Sequence, residues 1–259
     1  MRFLLTNDDG IYAEGLDALC RELSGKADCL VVAPETEQSA VGHAITLSRP
    51  LMVRRVKKDG QFWGYAVAGT PADCVKIAIK ELSEKPVDLV VSGINLGANA
   101  GINVIYSGTV SAATEGAIMG IPSLAISLDT RMENADFSFA ARFAGKLALS
   151  AVTNGFIRGL TLNVNIPALP EGEIKGIVVT KQGSQQMTET FEKRMTPREE
   201  IYYWLSGKIS FPERGPADSD VAALKRGMIS ITPIHYDLTK HDALGTLGRD
   251  IADHFLDDL

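Results

Sequence analysis

Cysteine is scarce in this chain. Three occur in 259 residues, Cys20, Cys29 and Cys74, each alone in an apolar segment and none in a CxxC pair. An odd count without framework spacing excludes a disulfide scaffold and reads as buried, reduced thiols in a reducing compartment. Histidine numbers only four, and the Cys/His cluster that zinc or a soft metal requires is missing. No apolar run approaches the ~20 residues of a membrane-spanning helix. The apolar stretch before Asp8 is too short for a signal peptide, so the expected location is the cytoplasm. Positive charge is in deficit, with 26 Lys and Arg against 32 Asp and Glu, a net −6. Such a chain has no general attraction for nucleic-acid polymers or anionic membranes, and any anion it handles needs a local positive field. Neither GxGxxG nor GxxxxGK followed by Ser or Thr is present, so a dinucleotide fingerprint and a P-loop are unsupported.

Hydrophobic residues, at 45%, suffice for a well-buried core. Short Val/Ile/Leu runs alternate with helical patterns. Residues 2–7, 28–34, 62–69, 87–93, 122–128 and 160–167 read as buried strands. Helices are expected over 13–24, from Thr70 as N-cap and Pro71 onward, over 108–120 and over 136–154. Near-continuous apolar strands between helices argue for an α/β fold, a parallel sheet covered by helices on both faces. This core spans 1–170. Residues 171–259 add a strand within 173–182, a β-hairpin excursion around the aromatic cluster IYYWLSGKISFP (201–212), a helix at 218–227 capped by Ser219, a strand at 228–237 and a terminal helix from 242. The aromatics on that arm mark either a subunit contact or a patch packed back on their own domain.

In an open parallel sheet, ligands bind beyond the carboxyl ends of the strands, near a switch in strand order. Three polar segments are expected there: NDDG at 7–10, ETEQSAVGHAIT at 35–46 and SGINLGANAGINVIYSGTVS at 92–111. The third spaces Gly93, Gly97, Gly101 and Gly108 with Asn95, Asn99 and Asn103, then enters a helix at Ser107, Gly108, Thr109 and Ser111. Free backbone N–H groups at a helix start, flanked by hydroxyls, form an anion site; an N-capped helix with no ligand would look the same. Asp8 and Asp9 are either a solvated turn or a cation site. Two carboxylates with Ser and Asn oxygens suit a hard divalent ion, Mg²⁺ or Mn²⁺, and neutralise it while leaving room for a phosphate dianion. His43 reads as a loop brace rather than a substrate contact, and Glu115 as orienting the loop rather than reacting.

The chain resembles the SurE family of survival proteins, stationary-phase 5′/3′-nucleotidases. The resemblance rests on TNDDG (6–10), AVGHAITLSRP (40–50), GTPADCVKIAI (69–79), SGINLGANAG (92–101), YSGTVSAATEG (106–116) and SDVAALKRGMISITPI (219–234). It implies one divalent cation per subunit on Asp8, Asp9, Ser39 and Asn95, and phosphate contacts in Asn95, Ser107, Gly108, Thr109 and Ser111. It also implies a Rossmann-like core, a swapped C-terminal region with the terminal helix, and a homodimer or homotetramer. The expected reaction is metal-assisted hydrolysis of nucleoside monophosphates, with Asp8, Asp9 and Asn95 as its catalytic residues, Asp9 the candidate to manage a proton, and short polyphosphate a further substrate. A non-catalytic nucleotide binder using the same cleft is the alternative. An aspartyl-phosphate enzyme is disfavoured, because Gly10 stands where the partner of a DxD pair would be.

Overall fold

The computed structural model describes residues 1–130, 132, 134–155, 160–184, 190–206 and 216–255. Along them run β1 (Arg2–Thr6), α1 (Glu14–Leu23), β2 (Asp28–Pro34), β3 (Val53–Lys58), β4 (Gln61–Val67), α2 (Pro71–Ile77, continued by a wider turn over Ala78–Leu82), β5 (Leu89–Leu96), α3 (Asn103–Tyr106), α4 (Gly108–Ile118), β6 (Ser123–Asp129), α5 (Ser138–Asn154), β7 (Thr161–Pro167), β8 (Ile177–Val179), β9 (Thr190–Met195), β10 (Ile201–Ser206), α6 (Asp220–Lys225), β11 (Ile229–Ile234) and α7 (Leu244–Phe255).

A nine-stranded sheet has the order β3-β4-β2-β1-β5-β6-β7-β11-β8. The expected α/β architecture is present, mostly parallel, with β3 antiparallel to β4 and β11 antiparallel to β7. Alternation along each strand feeds two layers. Phe3, Leu5, Val31, Leu89, Val91, Leu124 and Ile126 join the apolar faces of α1 and α5. Leu4, Leu30, Val32, Val67 and Val90 pack with Cys74, Val75 and Ala112 of α2 and α4. Each fully buried side chain of this kind contributes about 1.5–3 kcal/mol, so the two layers fix the sheet between its helices. Strand order reverses between β1, which leads outward to β2, and β5, which leads the other way to β6. Their carboxyl ends carry Asp8, Asp9 and Asn95.

Three features depart from the sequence reading. β3 (VRRVKK) is a charged edge strand with only Val56 buried, so no apolar run announces it. β5 continues through Leu96, which shortens the loop before α4, and α3 forms within what remains. The aromatic strand β10 pairs with the upstream β9, from Ile201↔Met195 to Ser206↔Thr190. Residues 207–215, where its partner was expected, lie outside the described residues.

The β9–β10 pair forms a sheet of its own and exposes both faces, with Phe191, Tyr203, Trp204 and Leu205 each more than half exposed. The excursion that carries it has a closed neck. Lys181 bridges Ser219; its N–H donates to the Asp218 carbonyl (3.0 Å), and its carbonyl accepts from the Asp220 N–H (2.9 Å).

Candidate functional site

β1 ends in Thr6, and the chain turns at Gly10, whose φ of +101° is open to glycine and strained for other residues. The Asn7 side chain clamps the turn by donating to the Gly10 carbonyl (2.9 Å). This turn brings two successive carboxylates to the rim. Asp8 is 5% exposed. The Thr109 hydroxyl and backbone N–H both donate to its carboxylate. Gly108 allows this closeness: a Cβ there would lie 2.6 Å from the Asp8 Cβ and 2.9 Å from its Oδ2. Asp9 accepts from the Leu96 backbone N–H, which places it beside Asn95.

The electrostatics of the pair are those of uncompensated negative charge. Burial raises the Asp8 pKa, against the hydrogen bonds from Thr109. Burial, then the Asp8 charge and Glu37, push Asp9 up to about 7, against the Leu96 N–H. Among the described residues, no Lys, Arg or His forms an ion pair with either carboxylate. Among them, too, no group of three or more His, Cys, Asp or Glu is arranged to hold an ion. A cation here would rest on two carboxylates and neutral oxygens. The Asn95 Nδ2 donates to the Gly97 carbonyl (2.7 Å), which turns its Oδ1 away from that carbonyl as an open acceptor. Buried polar atoms without partners include Thr6 Oγ1 and Asn7 Oδ1 at the end of β1, and Ser92 Oγ opposite Thr6 on β5. This donor set fits a hard divalent ion.

Ser39 is exposed, in the segment after β2, and donates to Glu37 Oε1 (2.5 Å). The preceding Gln38 N–H donates to the Asp8 carbonyl (2.8 Å), which ties this segment to the rim. Glu37 escaped the sequence reading. Its charge is felt by both aspartates, and its position two residues before Ser39 was the available signal.

The start of α4 is engaged more fully than its sequence suggests. The Ser107 Oγ caps the helix by accepting from the Val110 N–H (3.1 Å). The Ser111 N–H and hydroxyl both donate to the Ser107 carbonyl (3.1 and 2.6 Å). Thr109 serves Asp8. In this conformation, hydroxyls expected to face phosphate are spent on the helix itself and on Asp8. The positive end of α4 points at the carboxylate pair.

The loop after β5 is strapped down by residues the sequence reading passed over. The Asn99 N–H donates to Asn165 Oδ1 (2.8 Å), and its carbonyl accepts from Asn163 and Asn165 (2.8 and 3.1 Å). Asn99 Nδ2 donates to Ser127 (3.0 Å), so Asn99 serves as an internal strap rather than as an oxygen ligand. Buried Asp220 accepts from the Gly101 and Gly183 N–H groups (2.9 and 2.8 Å). The sequence signal was Asn163 and Asn165 at alternate positions of an otherwise apolar strand.

The family model for "Survival protein SurE" matches residues 3–189. A protein named 5′-nucleotidase SurE from Syntrophus aciditrophicus is 66% identical over 247 residues, covering 95% of this chain and 92% of its own. Another of that name, from Syntrophobacter fumaroxidans, is 53% identical over 96% of this chain and 99% of its own. The crystal structure of the SurE protein from Aquifex aeolicus superposes with a TM-score of 0.83 at 40% identity, over 96% of this chain and 99% of that one. With the acidic turn, the Asn95 loop and the α4 start assembled on one rim of a matching fold, this chain belongs to the SurE survival-protein family.

Proposed function

We propose that this protein is a divalent-metal-dependent phosphatase that hydrolyses nucleoside monophosphates, at the 5′ and the 3′ position, to nucleoside and phosphate. Short polyphosphate is a further substrate in this reading, and the protein works in the cytoplasm. The single observation that carries the reading is the adjacent carboxylates of buried Asp8 and half-buried Asp9, with no countercharge among the described residues, set between Asn95 and the start of α4. The relatives named 5′-nucleotidase SurE supply the reaction class.

Asp8, Asp9, Ser39 and Asn95 would hold one Mg²⁺ or Mn²⁺. When bound, the ion polarises the phosphoryl oxygens and supplies an activated water. The protein's own part is positioning. Thr109 and the closeness of Gly108 fix Asp8 in one orientation. Asn95, Ser107, Gly108, Thr109 and Ser111 form the phosphate-facing wall. Its remaining N–H groups and the dipole of α4 favour the charge of the transferring group. In this reading Asp9, the more exposed of the pair, takes up the proton. The exposed β9–β10 arm, together with Leu244, Leu247 and Ile251 on α7, supports assembly into a homodimer or homotetramer.

Phosphate release from a panel of nucleoside monophosphates, with Mg²⁺, Mn²⁺ or chelator, tests the reading. Asp8→Asn should lower turnover by at least ~10²-fold, and Asn95→Ala by ~10–100-fold. Activity that survives both the chelator and the substitutions would falsify it. Saturable nucleotide binding without turnover under either metal would establish the binder instead.

A further inference from the structure

Residues 36–52, which include Ser39, form neither helix nor strand. What holds them over the rim is a series of pins. Before Ser39, the Gln38 N–H is fixed on the Asp8 carbonyl (2.8 Å). After it, the Gly42 N–H donates to the carbonyl of Tyr106 (3.0 Å), the residue just before the cap of α4. The next residue, His43, places Nε2 at 2.8 Å from Glu115 Oε2. Farther on, Thr46 donates through its N–H and its hydroxyl to Asp73 of α2 (3.0 and 2.6 Å).

Glu115 stands out among these anchors. It lies inside α4, with its side chain 3% exposed, and its other oxygen accepts from Lys76 Nζ of α2 (2.6 Å). Lys76 alone would neutralise it. The His43 contact is a second engagement of the same buried carboxylate, and it joins two parts of one site. One is the helix whose start holds Asp8; the other is the segment that carries Ser39. The Gln38 pin sets where that segment enters the rim. Gly42 and His43 set where it leaves, and the aim of Ser39 depends on both.

We infer that Glu115, acting through His43, is a positioning residue for the cation site: it locks the segment that carries Ser39 to α4 and so sets how that segment lies against the rim that bears Asp8 and Asp9. This rests on the proposed divalent site. It assigns no chemistry to either residue.

The test uses the full-length protein and manganese ion alone, followed by electron paramagnetic resonance, beside kcat and KM for a nucleoside monophosphate. His43→Ala should weaken manganese binding and lower kcat, each by about tenfold. His43→Gln, which restores an N–H donor near Nε2, should recover most of both. Hydrogen exchange over residues 38–46 should rise in His43→Ala and in Glu115→Ala, and stay near the wild-type level in His43→Gln. The inference is overturned if His43→Ala binds manganese as the wild type does, or if His43→Gln is as impaired as His43→Ala. If Glu115→Ala fails to fold, the two His43 variants still decide it. Wild-type protein that binds manganese but releases no phosphate sinks the nucleotidase reading alone, and the manganese affinities then judge the positioning role. Wild-type protein that binds no manganese overturns both.

Discussion

At the scale of single residues, Gly108 gives the sharpest expectation. Alanine normally favours a helix interior over glycine by about 1 kcal/mol. Here its Cβ would sit 2.6 Å from the Asp8 Cβ, a contact that cannot be accommodated without moving Asp8. Gly108→Ala should therefore lower phosphate release at least ~10-fold without raising the melting temperature. Turnover assays and thermal unfolding on one preparation would show whether the helix gain or the Asp8 displacement dominates. Glu115 makes a pH prediction. Burial alone would raise its pKa, but hydrogen bonds from His43 and Lys76 outweigh it and hold the group below its ordinary 4.5. A depressed acid contributes stability that is complete above its unfolded pKa and is lost as pH falls through the folded value. The difference in denaturation midpoint between wild type and Glu115→Gln should be constant above about pH 5 and should shrink below it. A gap that stays constant down to pH 3 would show that Glu115 carries no such linkage.

At the scale of elements, Asp220 does work that its place in the motif at 219–234 does not spell out. From the first turn of α6 it accepts N–H groups from Gly101, in the loop after β5, and from Gly183, at the root of the arm. Asp220→Ala leaves both donors buried and unpaired, at about 1–3 kcal/mol each. Chemical denaturation should show a loss of about 2–5 kcal/mol, against a control substitution at exposed Lys193. This contrast shows what the sequence made legible. The inner strands of the central sheet were visible because residues buried on both faces must be apolar, and α2 because Thr70 and Pro71 mark its start. Asp8 and Asp9 were visible because adjacent like charges after an apolar strand need a reason. β3 was hidden because an edge strand can be charged. The pairing of β10 with β9 was hidden because TFEKRM carries little apolar signal. The direction of a hydroxyl was beyond reach as well. Nothing in SGTVS says that Thr109 turns to Asp8 while Ser107 caps its own helix, because those choices follow from which strand end lies opposite the helix start.

At the scale of the whole molecule, the exposed arm is the feature that a lone subunit explains least. A two-stranded sheet with both faces open to water is marginal by itself. Tyr203 and Trp204 at 58% exposure are costly to leave uncovered. Sedimentation should report a particle of two or four chains of 27.8 kDa. Tyr203→Ser combined with Trp204→Ser should shift it toward the monomer, and an unchanged sedimentation coefficient would remove the arm from the interface.

The neck at Lys181 and Ser219 sets the terms on which the excursion could be rebuilt. The two stems run side by side in the same direction, so a chain that leaves at Gly183 must travel back past the bridge before it re-enters at Ala217. A tight turn cannot make that journey; segments that run parallel need a crossover of about a dozen residues or more. Any substitute for the arm, whether a foreign hairpin, a reporter peptide or a tether to a solid support, has to bring its own return path.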